Sequence, residues 1–332
     1  MRVVIVFDME GTSHIGDLRE PFPVYREYWH SGRQKLANDL AAVARGLIDG
    51  GATRLMLLNH HGGGEAEWPN ALHDALPAGI ELADDWGKRA MRERADAMFQ
   101  VGAHARGGSP SFLSHTILPG MRLRHEGELL SESHWWAWTG DVPVLGIVGS
   151  EELGVDLGTD GGSLADVPFL AVQRSTDRMA ARPVFGSPAE TAEAIRAFAT
   201  SAIARGANRP TSTPRGPVRL EGSLQNGVAA AAQLADAGWI QMSDTEFAIE
   251  SPSWRDPDER IDSAIYAISD AAMEVYAAWV TGLDPTSEET ATAFPNRDLF
   301  DREIRIWAAD STPDWFTPEI AARVWEGREP GS

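Results

Sequence analysis

The first third of the chain alternates apolar runs with a long amphipathic segment. Residues 3–7 are all apolar, which is typical of a buried strand. The segment from Tyr25 to Asp49 predicts a helix, because its apolar residues have helical spacing: Leu36, Leu40, Val43 and Leu47. A second apolar run at residues 55–58 follows, so the pattern predicts a β-α-β unit, which is the building block of parallel sheets.

Similar elements continue to about residue 210. Three more short apolar runs bounded by turn residues predict strands: Ala97–Val101, Val142–Val148 and Phe169–Gln173. Ser187-Pro188-Ala189-Glu190 has the form of a capping box with Pro at the first helical position, which predicts a helix to about Arg205. We therefore predict an α/β fold, with a three-layer domain and a mainly parallel sheet over residues 1–210.

The remaining sequence predicts a second, smaller unit. Residues 207–217 are rich in Pro, Thr and Ser and predict a linker. Beyond it we predict an α+β subdomain over residues 217–282, from these strands and helices: Val218–Leu220, Val228–Ala237, Glu246–Ile249 and Ile261–Thr281. Residues 283–332 are predicted to form a C-terminal extension. The sequence has neither a signal-peptide pattern nor a transmembrane stretch, so a cytoplasmic location is expected.

The composition excludes several classes of chemistry. The chain of 332 residues has no Cys, which excludes disulfides, thiolate metal ligands and cysteine nucleophiles. Its 29 basic and 49 acidic residues give a net charge of −20, which repels nucleic acid phosphates and anionic membrane surfaces. We therefore expect neither nucleic acid nor a membrane as a partner, and a small molecule as the substrate.

Acidic and imidazole side chains gather where the predicted strands end. Side chains alternate along a strand, so Asp8 and Glu10 are expected on one face just beyond the first strand. Two neighbouring carboxylates beside a core need a metal, a basic side chain or a shared proton to neutralise them. Four histidines follow other strands or lie in Gly- and Ser-rich loops: His60, His61, His104 and His115. These nitrogen and oxygen ligands, at the end of a parallel sheet where sites form, suit zinc, manganese or cobalt.

A third carboxylate is expected from residues 122–138. This segment has three acidic side chains before a Trp-rich stretch: Glu126, Glu128 and Glu132. One of them, with Asp8 and Glu10, would bring three negative charges to the site. Two divalent ions and a bridging hydroxide neutralise three carboxylates, so charge balance favours a centre of two metal ions, which lie roughly 3.5–4 Å apart and acidify a shared water.

Several short motifs occur in the order and spacing of a known family. They are Asp8-Met9-Glu10-Gly11, Gly32-Arg33, Gly51-Ala52-Thr53, Gly102-Ala103-His104-Ala105, Ser114-His115-Thr116, Ser131-Glu132 and Asp141-Val142-Pro143-Val144. With these motifs, residues 1–282 resemble the D-aminopeptidases of the bacterial dipeptide-transport type. The resemblance implies a binuclear zinc peptidase with an α/β fold that assembles as a homo-oligomer, in this family a ring.

The resemblance also implies the ligands of the first ion. Asp8 would bridge the two metals, and Glu10 would bind one of them together with a histidine at the end of the second strand. Alignment through Thr53 favours His61 for that place, and His60 is the alternative.

The second ion and the catalytic group follow from the same resemblance. His104 and Glu132 would bind the other metal, with Glu128 as the alternative to Glu132. His115 would be the catalytic residue, either as a general base or by orienting and protonating the reacting groups. The implied reaction is hydrolysis of short peptides or amino-acid amides with a free amino terminus. The family resemblance alone supplies a preference for D residues.

Two other interpretations fit parts of the sequence. Residues 7–12 approximate the opening motif of haloacid-dehalogenase-type phosphatases, in which the first Asp is a nucleophile. The pair Asp84-Asp85 would then supply a magnesium-binding acidic pair, although that fold has no use for the histidines. A non-catalytic, metal-dependent binding protein would keep the same ligands without the reaction.

Overall fold

Strands and helices alternate along the chain. The structure, a computed structural model, describes residues 1–22, 26–61, 69–83, 88–117, 121–158, 164–177, 180–206, 209–224, 230–255, 259–284 and 286–293. Within these ranges the strands and α-helices are β1 (Arg2–Phe7), α1 (Arg26–Asp49), β2 (Arg54–Asn59), β3 (Glu81–Leu82), α2 (Lys88–Arg94), β4 (Ala97–Ala103), β5 (Met121–His125), β6 (Glu128–Leu129), α3 (Glu132–Gly140), β7 (Val144–Ser150), α4 (Glu151–Gly158), β8 (Phe169–Ser175), β9 (Ala181–Pro183), α5 (Pro188–Gly206), β10 (Val218–Leu224), α6 (Ala231–Asp236), β11 (Ile240–Gln241), β12 (Glu246–Ser251), α7 (Arg260–Gly282) and α8 (Glu288–Ala293). A short 3-10 helix, His73–Ala75, lies between β2 and β3.

Seven strands form the larger sheet, in the order β3-β2-β1-β4-β7-β8-β9. All neighbouring strands are parallel except β8 and β9. Strands β4 and β7 are buried along their whole length, and β1 is buried beyond its first residue. Parallel strands that are covered on both faces have no polar face, which explains the unbroken apolar runs of the sequence. The predicted α/β fold with a mainly parallel sheet is confirmed.

Helices cover both faces of this sheet. Helices α1 and α5 pack together on one face, in a core that includes Ile5, Leu40 and Ile195. The opposite face packs against α3, all nine residues of which are buried. The three-layer arrangement follows from these two apolar cores, one on each side of the sheet.

The second sheet is antiparallel, with the order β11-β12-β10-β5-β6. Buried and exposed residues alternate along β5 and β10, as expected for strands with one solvated face. Strands β5 and β6 come from residues 121–129, which lie inside the range predicted as the first domain. The predicted division into residues 1–210 and 217–282 therefore does not separate the two sheets. Strand pairing joins segments that are distant in sequence, and local patterns do not record it.

One hydrophobic cluster joins the two sheets. It contains Met98 from the larger sheet, Trp138 from α3, and Leu220 and Phe247 from the second sheet. Helix α7 packs on β10 and β12 and completes this layer. Of the predicted C-terminal extension, residues 294–332 lie outside the described residues. Among the helices that the structure describes, none is long and apolar enough to cross a membrane.

Candidate metal centre

The ends of β1 and β4 approach each other closely at the site. Gly11 N–H donates to the Gly102 carbonyl at 2.8 Å. A Cβ on Gly11 would lie 1.9 Å from the main-chain carbonyl oxygen of Ala103. One on Gly102 would lie 2.1 Å from the main-chain carbonyl oxygen of Asp8. Gly102 also has a φ of +71°, a conformation that favours glycine. These two glycines allow the approach that brings Asp8, after β1, next to His104, after β4.

His104 stands between two carboxylates. Its Nε2 lies 3.4 Å from Asp8 Oδ2 and 3.6 Å from Glu132 Oε1. Its Nδ1 donates to the Ala105 carbonyl at 2.9 Å, so Nε2 is the atom that faces the acids. All three side chains are buried, and within the described part of the chain His104 Nε2 has no hydrogen-bond partner. A buried ring nitrogen directed at two carboxylates is the arrangement expected at a metal site.

Both histidines after β2 reach the cluster, on different sides. His61 Nε2 lies 3.3 Å from Glu10 Oε1, and His60 Nε2 contacts Glu132 Oε2. Asn70 supports His61, since its Nδ2 lies 3.3 Å from His61 Nδ1. Alignment through Thr53 favoured His61, with His60 as the alternative, whereas the structure places both rings against carboxylates of the cluster. The chain turns directly after β2, and both rings therefore enter the site.

His115 occupies a loop with unusual backbone angles. Its Nδ1 donates to the Leu113 carbonyl at 2.7 Å, and its Nε2 lies 3.6 Å from Glu132 Oε1. Leu113 and Ile117 have φ values of +46° and +67°. For a β-branched residue such as Ile117 this conformation is strained. It directs the Ile117 N–H to Glu132 Oε1 at 2.5 Å, so the His115 loop and Glu132 hold each other in place.

Of the three acidic candidates in residues 122–138, only Glu132 lies in the cluster. It opens α3, where the partial positive charge of a helix N-terminus favours a carboxylate. Glu128 lies on β6 with its side chain 33 % exposed, and its Oε1 faces His134 Nε2 at 3.3 Å. Glu126 is exposed in the turn between β5 and β6. The described geometry therefore favours Glu132 over the alternative Glu128.

The two acids after β1 have pKa values shifted in opposite directions. Burial, and then the neighbouring Glu10, raise the pKa of Asp8 to about 6. For Glu10, burial also disfavours the charged form, but the facing His61 outweighs it and holds the pKa of Glu10 below its usual range. The opposite shifts follow from the neighbours: Glu10 faces His61, whereas burial and the charge of Glu10 outweigh the contact of Asp8 with His104.

The groups around Glu132 are perturbed in the same way. Burial opposes ionisation of Glu132, but His60 and then His104 hold its pKa well below the usual value. Burial lowers the pKa of His104, whereas Glu132 and Asp8 raise it more, so the net shift is well upward. Burial, and then the adjacent His104, lower the pKa of His115 to about 4. The carboxylates therefore favour the protonated form of His104, whereas His115 is neutral near pH 7.

The donor set fits divalent ions. Three groups of residues each bring one ligand atom per residue within 4.8 Å of the others: His104, His115 and Glu132; Asp8, Glu10 and His104; and Asp8, His60 and Glu132. Four nitrogen-to-oxygen distances in the cluster are 3.3, 3.4, 3.6 and 3.6 Å, which is longer than an ordinary hydrogen bond. Two ligands of a tetrahedral zinc, each at about 2.1 Å, lie roughly 3.4 Å apart, so these separations suit a shared ion.

A small cavity lies among these side chains. Its volume is about 20 Å³, and Asp8, His60, His104 and Glu132 are among the residues that line it. This is space for roughly one water-sized occupant. Its oxygen and nitrogen lining, without sulfur, suits zinc or a similar divalent ion. The pair Asp84-Asp85, required by the phosphatase interpretation, lies outside the described residues.

Three supporting residues were not predicted. Gln173, on β8, uses its Nε2 to donate to the carbonyls after β1, at 2.8 Å to Glu10, 3.1 Å to Thr12 and 2.9 Å to Ile15. Nothing in the local sequence marks Gln173 or Asn70, because their partners come from distant segments. The third, His134, had a signal: its spacing from Ser131 is that of a helix capping box.

Comparison with known proteins gives the family. The D-aminopeptidase family, peptidase family M55, matches residues 1–257. No curated protein sequence matches the chain significantly. Among solved structures, the Zn-dependent D-aminopeptidase DppA from Bacillus subtilis, described as a self-compartmentalizing protease, has a similar fold: the TM-score is 0.69 at 19 % identity, over 82 % of this chain and 98 % of that one. The chain therefore belongs to the D-aminopeptidase family, and it is a metallo-aminopeptidase, a hydrolase of peptide or amide bonds.

Proposed function

We propose that the protein binds two divalent ions in this cluster and uses them to hydrolyse short peptides or amino-acid amides with a free amino terminus. One observation carries the proposal: His104 Nε2 is directed at both Asp8 and Glu132, at distances that suit two ligands of one ion. Among the described residues, no Lys or Arg pairs with the three carboxylates of the cluster, and the groups that face them are histidines, which can bind a divalent ion together with the carboxylates.

The proposed ligands follow the contacts. Asp8 is the carboxylate that forms one candidate group with Glu10 and another with Glu132, which supports its role as the bridge between the ions. Glu10 joins it on one side, together with His61, which faces Glu10, or His60. His104 and Glu132 hold the other side, as the family pattern implies. Substitution of each histidine after β2 by Ala, with metal analysis, would identify the ligand.

Zinc is the metal that we propose. The donors are carboxylate oxygens and imidazole nitrogens, which suit zinc and also manganese or cobalt. The similar fold of DppA, a Zn-dependent enzyme, supports zinc among these. Two such ions, when bound, would supply an acidified water and a polarised scissile carbonyl.

His115 is proposed to move protons. His115 Nδ1–H donates to the Leu113 carbonyl, so the proton of the neutral ring is on Nδ1. Nε2 therefore carries the lone pair, and it faces the cluster. Burial lowers the pKa of His115, which keeps the ring neutral near pH 7 and able to accept a proton from the attacking water. The same nitrogen would then deliver that proton to the departing amine.

The family and its solved member support two finer proposals. The family is named for activity on D residues, so we propose a preference for substrates with an N-terminal D residue. DppA is described as self-compartmentalizing, so we propose that this chain also forms a closed homo-oligomer, tested by light scattering on the purified protein. The cytoplasmic location stays a prediction.

The proposed function is tested by metal analysis and substrate screening together. We expect about two zinc ions per chain, loss of turnover after chelation, recovery with zinc, and hydrolysis of D-aminoacyl amides or dipeptides in preference to the L forms. Asp8→Ala should lose metal and turnover together, whereas Glu126→Ala, which removes an exposed acid, should lose neither. Magnesium-dependent hydrolysis of phosphate esters would favour the phosphatase instead, and bound metal without any turnover would favour a binding protein.

A further inference from the structure

The first turn of α3 is closed by a histidine. Ser131 N–H donates to His134 Nδ1 at 3.2 Å, and Ser131 Oγ lies 2.9 Å from the same nitrogen. His134 N–H also donates to the Ser131 carbonyl at 3.1 Å, a main-chain bond of the first turn. This is a capping box in which His takes the position usually held by Glu or Gln. The box encloses Glu132, which lies between its two members in the chain.

The hydrogen bonds determine the tautomer of His134. A backbone N–H can only donate, so Nδ1 accepts from Ser131 and the proton of the neutral ring is on Nε2. That nitrogen faces Glu128 Oε1 at 3.3 Å, slightly longer than an ordinary hydrogen bond. The His134 side chain is 1 % exposed and that of Glu128 is 33 % exposed. A half-buried carboxylate on β6 therefore faces the donor end of the ring that closes the helix.

The His134 ring packs against an aromatic side chain of the same helix. The His134 ring stands edge-on to Trp138, with centroids 5.3 Å apart and planes at 73°. Trp138, one turn further along α3, is buried in the core cluster that joins the two sheets. Since every residue of α3 is buried, the helix cannot shift toward the site without repacking that core.

We propose that His134 is a positioning residue, which, with Ser131 and Glu128, fixes the start of α3 so that Glu132 is directed into the metal centre. This inference rests on the proposed function, because it takes Glu132 as a metal ligand. Ile117 N–H holds the Glu132 carboxylate from the loop side, and the capping box holds its backbone from the helix side. Groups behind a ligand typically contribute about 10–100-fold to metal affinity.

The test is a zinc-affinity measurement by chelator competition on the full chain. His134→Ala should weaken the more weakly bound zinc by about 10–100-fold, and turnover should recover at high zinc concentration. His134→Gln should restore affinity to within about threefold of wild type, because Gln at this position accepts the same bond from Ser131 N–H. The matched control is His125→Ala. His125 is also buried and edge-on to Trp138, at 5.6 Å, but it lies on β5 and bonds the Arg219 carbonyl.

The outcomes separate this inference from the proposed function. Wild-type zinc affinity in His134→Ala, or an equal loss in His125→Ala, would overturn the inference. Glu132→Ala serves as the reference: if it keeps both zinc ions, the proposed metal site is wrong, whereas loss of one ion there with an unaffected His134→Ala refutes the inference alone. Should His134→Ala fail to fold, Glu128→Ala tests the same set of contacts from Glu128 through His134 to Ser131, at a position that is partly exposed. It should weaken zinc about 3–10-fold, and unchanged affinity would contradict the role of Glu128.

Discussion

His104 and His115 lie face to face, with ring centroids 4.3 Å apart and planes inclined by 21°. Each ring directs Nε2 at Glu132 Oε1, at 3.6 Å, and each donates Nδ1–H to a main-chain carbonyl. The two imidazoles thus share a carboxylate and a tautomer, but only His104 also lies beside Asp8. The difference suits His104 as a ligand and His115 as the group that transfers protons.

Substitution of the two stacked histidines should therefore have different effects. We predict that His104→Ala loses metal and turnover together. His115→Ala should keep its metal while kcat falls by about 100-fold or more, because proton transfer by a side chain contributes at least that much. Elemental analysis and turnover on the same preparations distinguish the two. Loss of one ion in His115→Ala would instead make His115 a ligand, a role that its closeness to His104 and Glu132 permits.

Gly102 should tolerate no side chain. A Cβ there would lie 2.1 Å from the main-chain carbonyl oxygen of Asp8, so Gly102→Ala must separate β1 from β4. We predict that the variant loses zinc and is destabilised by about 3 kcal/mol or more in urea unfolding. The control is Gly79→Ala, because Gly79 also has a positive φ, +86°, but apart from its chain neighbours no atom of the described residues lies within 4 Å of its Cβ position. Gly79→Ala should lower the free energy of unfolding by only about 1–2 kcal/mol and should retain zinc. Equal losses of stability and of zinc in both variants would show that the positive φ alone causes the effect.

Gln173 should stabilise the segment that carries Glu10. Its amide donates to three carbonyls and is fully buried. Gln173→Leu removes a donor from each of these carbonyls, although the Thr12 carbonyl still accepts from Ile15 N–H at 3.4 Å, so the free energy of unfolding should fall by about 2–4 kcal/mol. Gln173→Glu should be worse, since a carboxylate cannot donate and would be buried against carbonyl oxygens. Urea unfolding ranks the variants: a Leu variant as stable as wild type would show that these bonds contribute little, and a Glu variant as stable as the Leu variant would contradict the predicted cost of the buried carboxylate.

Asp39 should make stability depend on pH. It accepts hydrogen bonds from Ser13 N–H at 2.8 Å and Ser13 Oγ at 2.6 Å, yet burial raises the pKa of Asp39 from 3.8 to about 6. Between these values the native state holds a proton that the unfolded chain has released, so stability falls as pH rises through this window. Relative to wild type, Asp39→Asn should gain about 1–3 kcal/mol in unfolding free energy between pH 4 and 6.5.

A control for this comparison is available on the same helix. Asp49→Asn removes the same charge at the exposed end of α1, where Asp49 pairs with Arg196 at 2.7 Å. An exposed pair contributes at most about 1 kcal/mol, so a smaller change is expected. A difference between wild type and Asp39→Asn that stays constant with pH would contradict the buried-acid explanation.

Arg33 carries a buried charge that can be replaced. The residue is 7 % exposed, its guanidinium lies 4.6 Å from the centre of the Trp29 ring, and burial lowers the pKa of Arg33. Its Nε has no partner among the described residues. Replacing such a charge with an apolar side chain of similar length is often neutral or stabilising. We predict that Arg33→Met keeps or raises the free energy of unfolding, by up to about 2 kcal/mol, in urea titrations. A clear loss would show that the contact with the Trp29 ring outweighs the cost of burying the charge.

Local patterns predicted the starts of most elements and fewer of their ends. The helix predicted from Tyr25 to Asp49 is α1, at Arg26–Asp49, because its apolar spacing and terminal glycines are local signals. Strands β4 and β8 end two residues later than predicted, at Ala103 and Ser175. Pairing with neighbouring strands decides where a strand ends, and the apolar run does not contain that information.

The sequence by itself determined the fold class and the chemical types of the site: carboxylates and imidazoles at strand ends, without sulfur. Only the tertiary structure decided which members meet. It brings both His60 and His61 to the cluster, selects Glu132 and turns Glu128 toward His134. It also assigns β5 and β6 to the second sheet. The physical reason is the same in each case: residue type and spacing act along the chain, whereas a contact depends on close approaches between distant segments that no local pattern encodes.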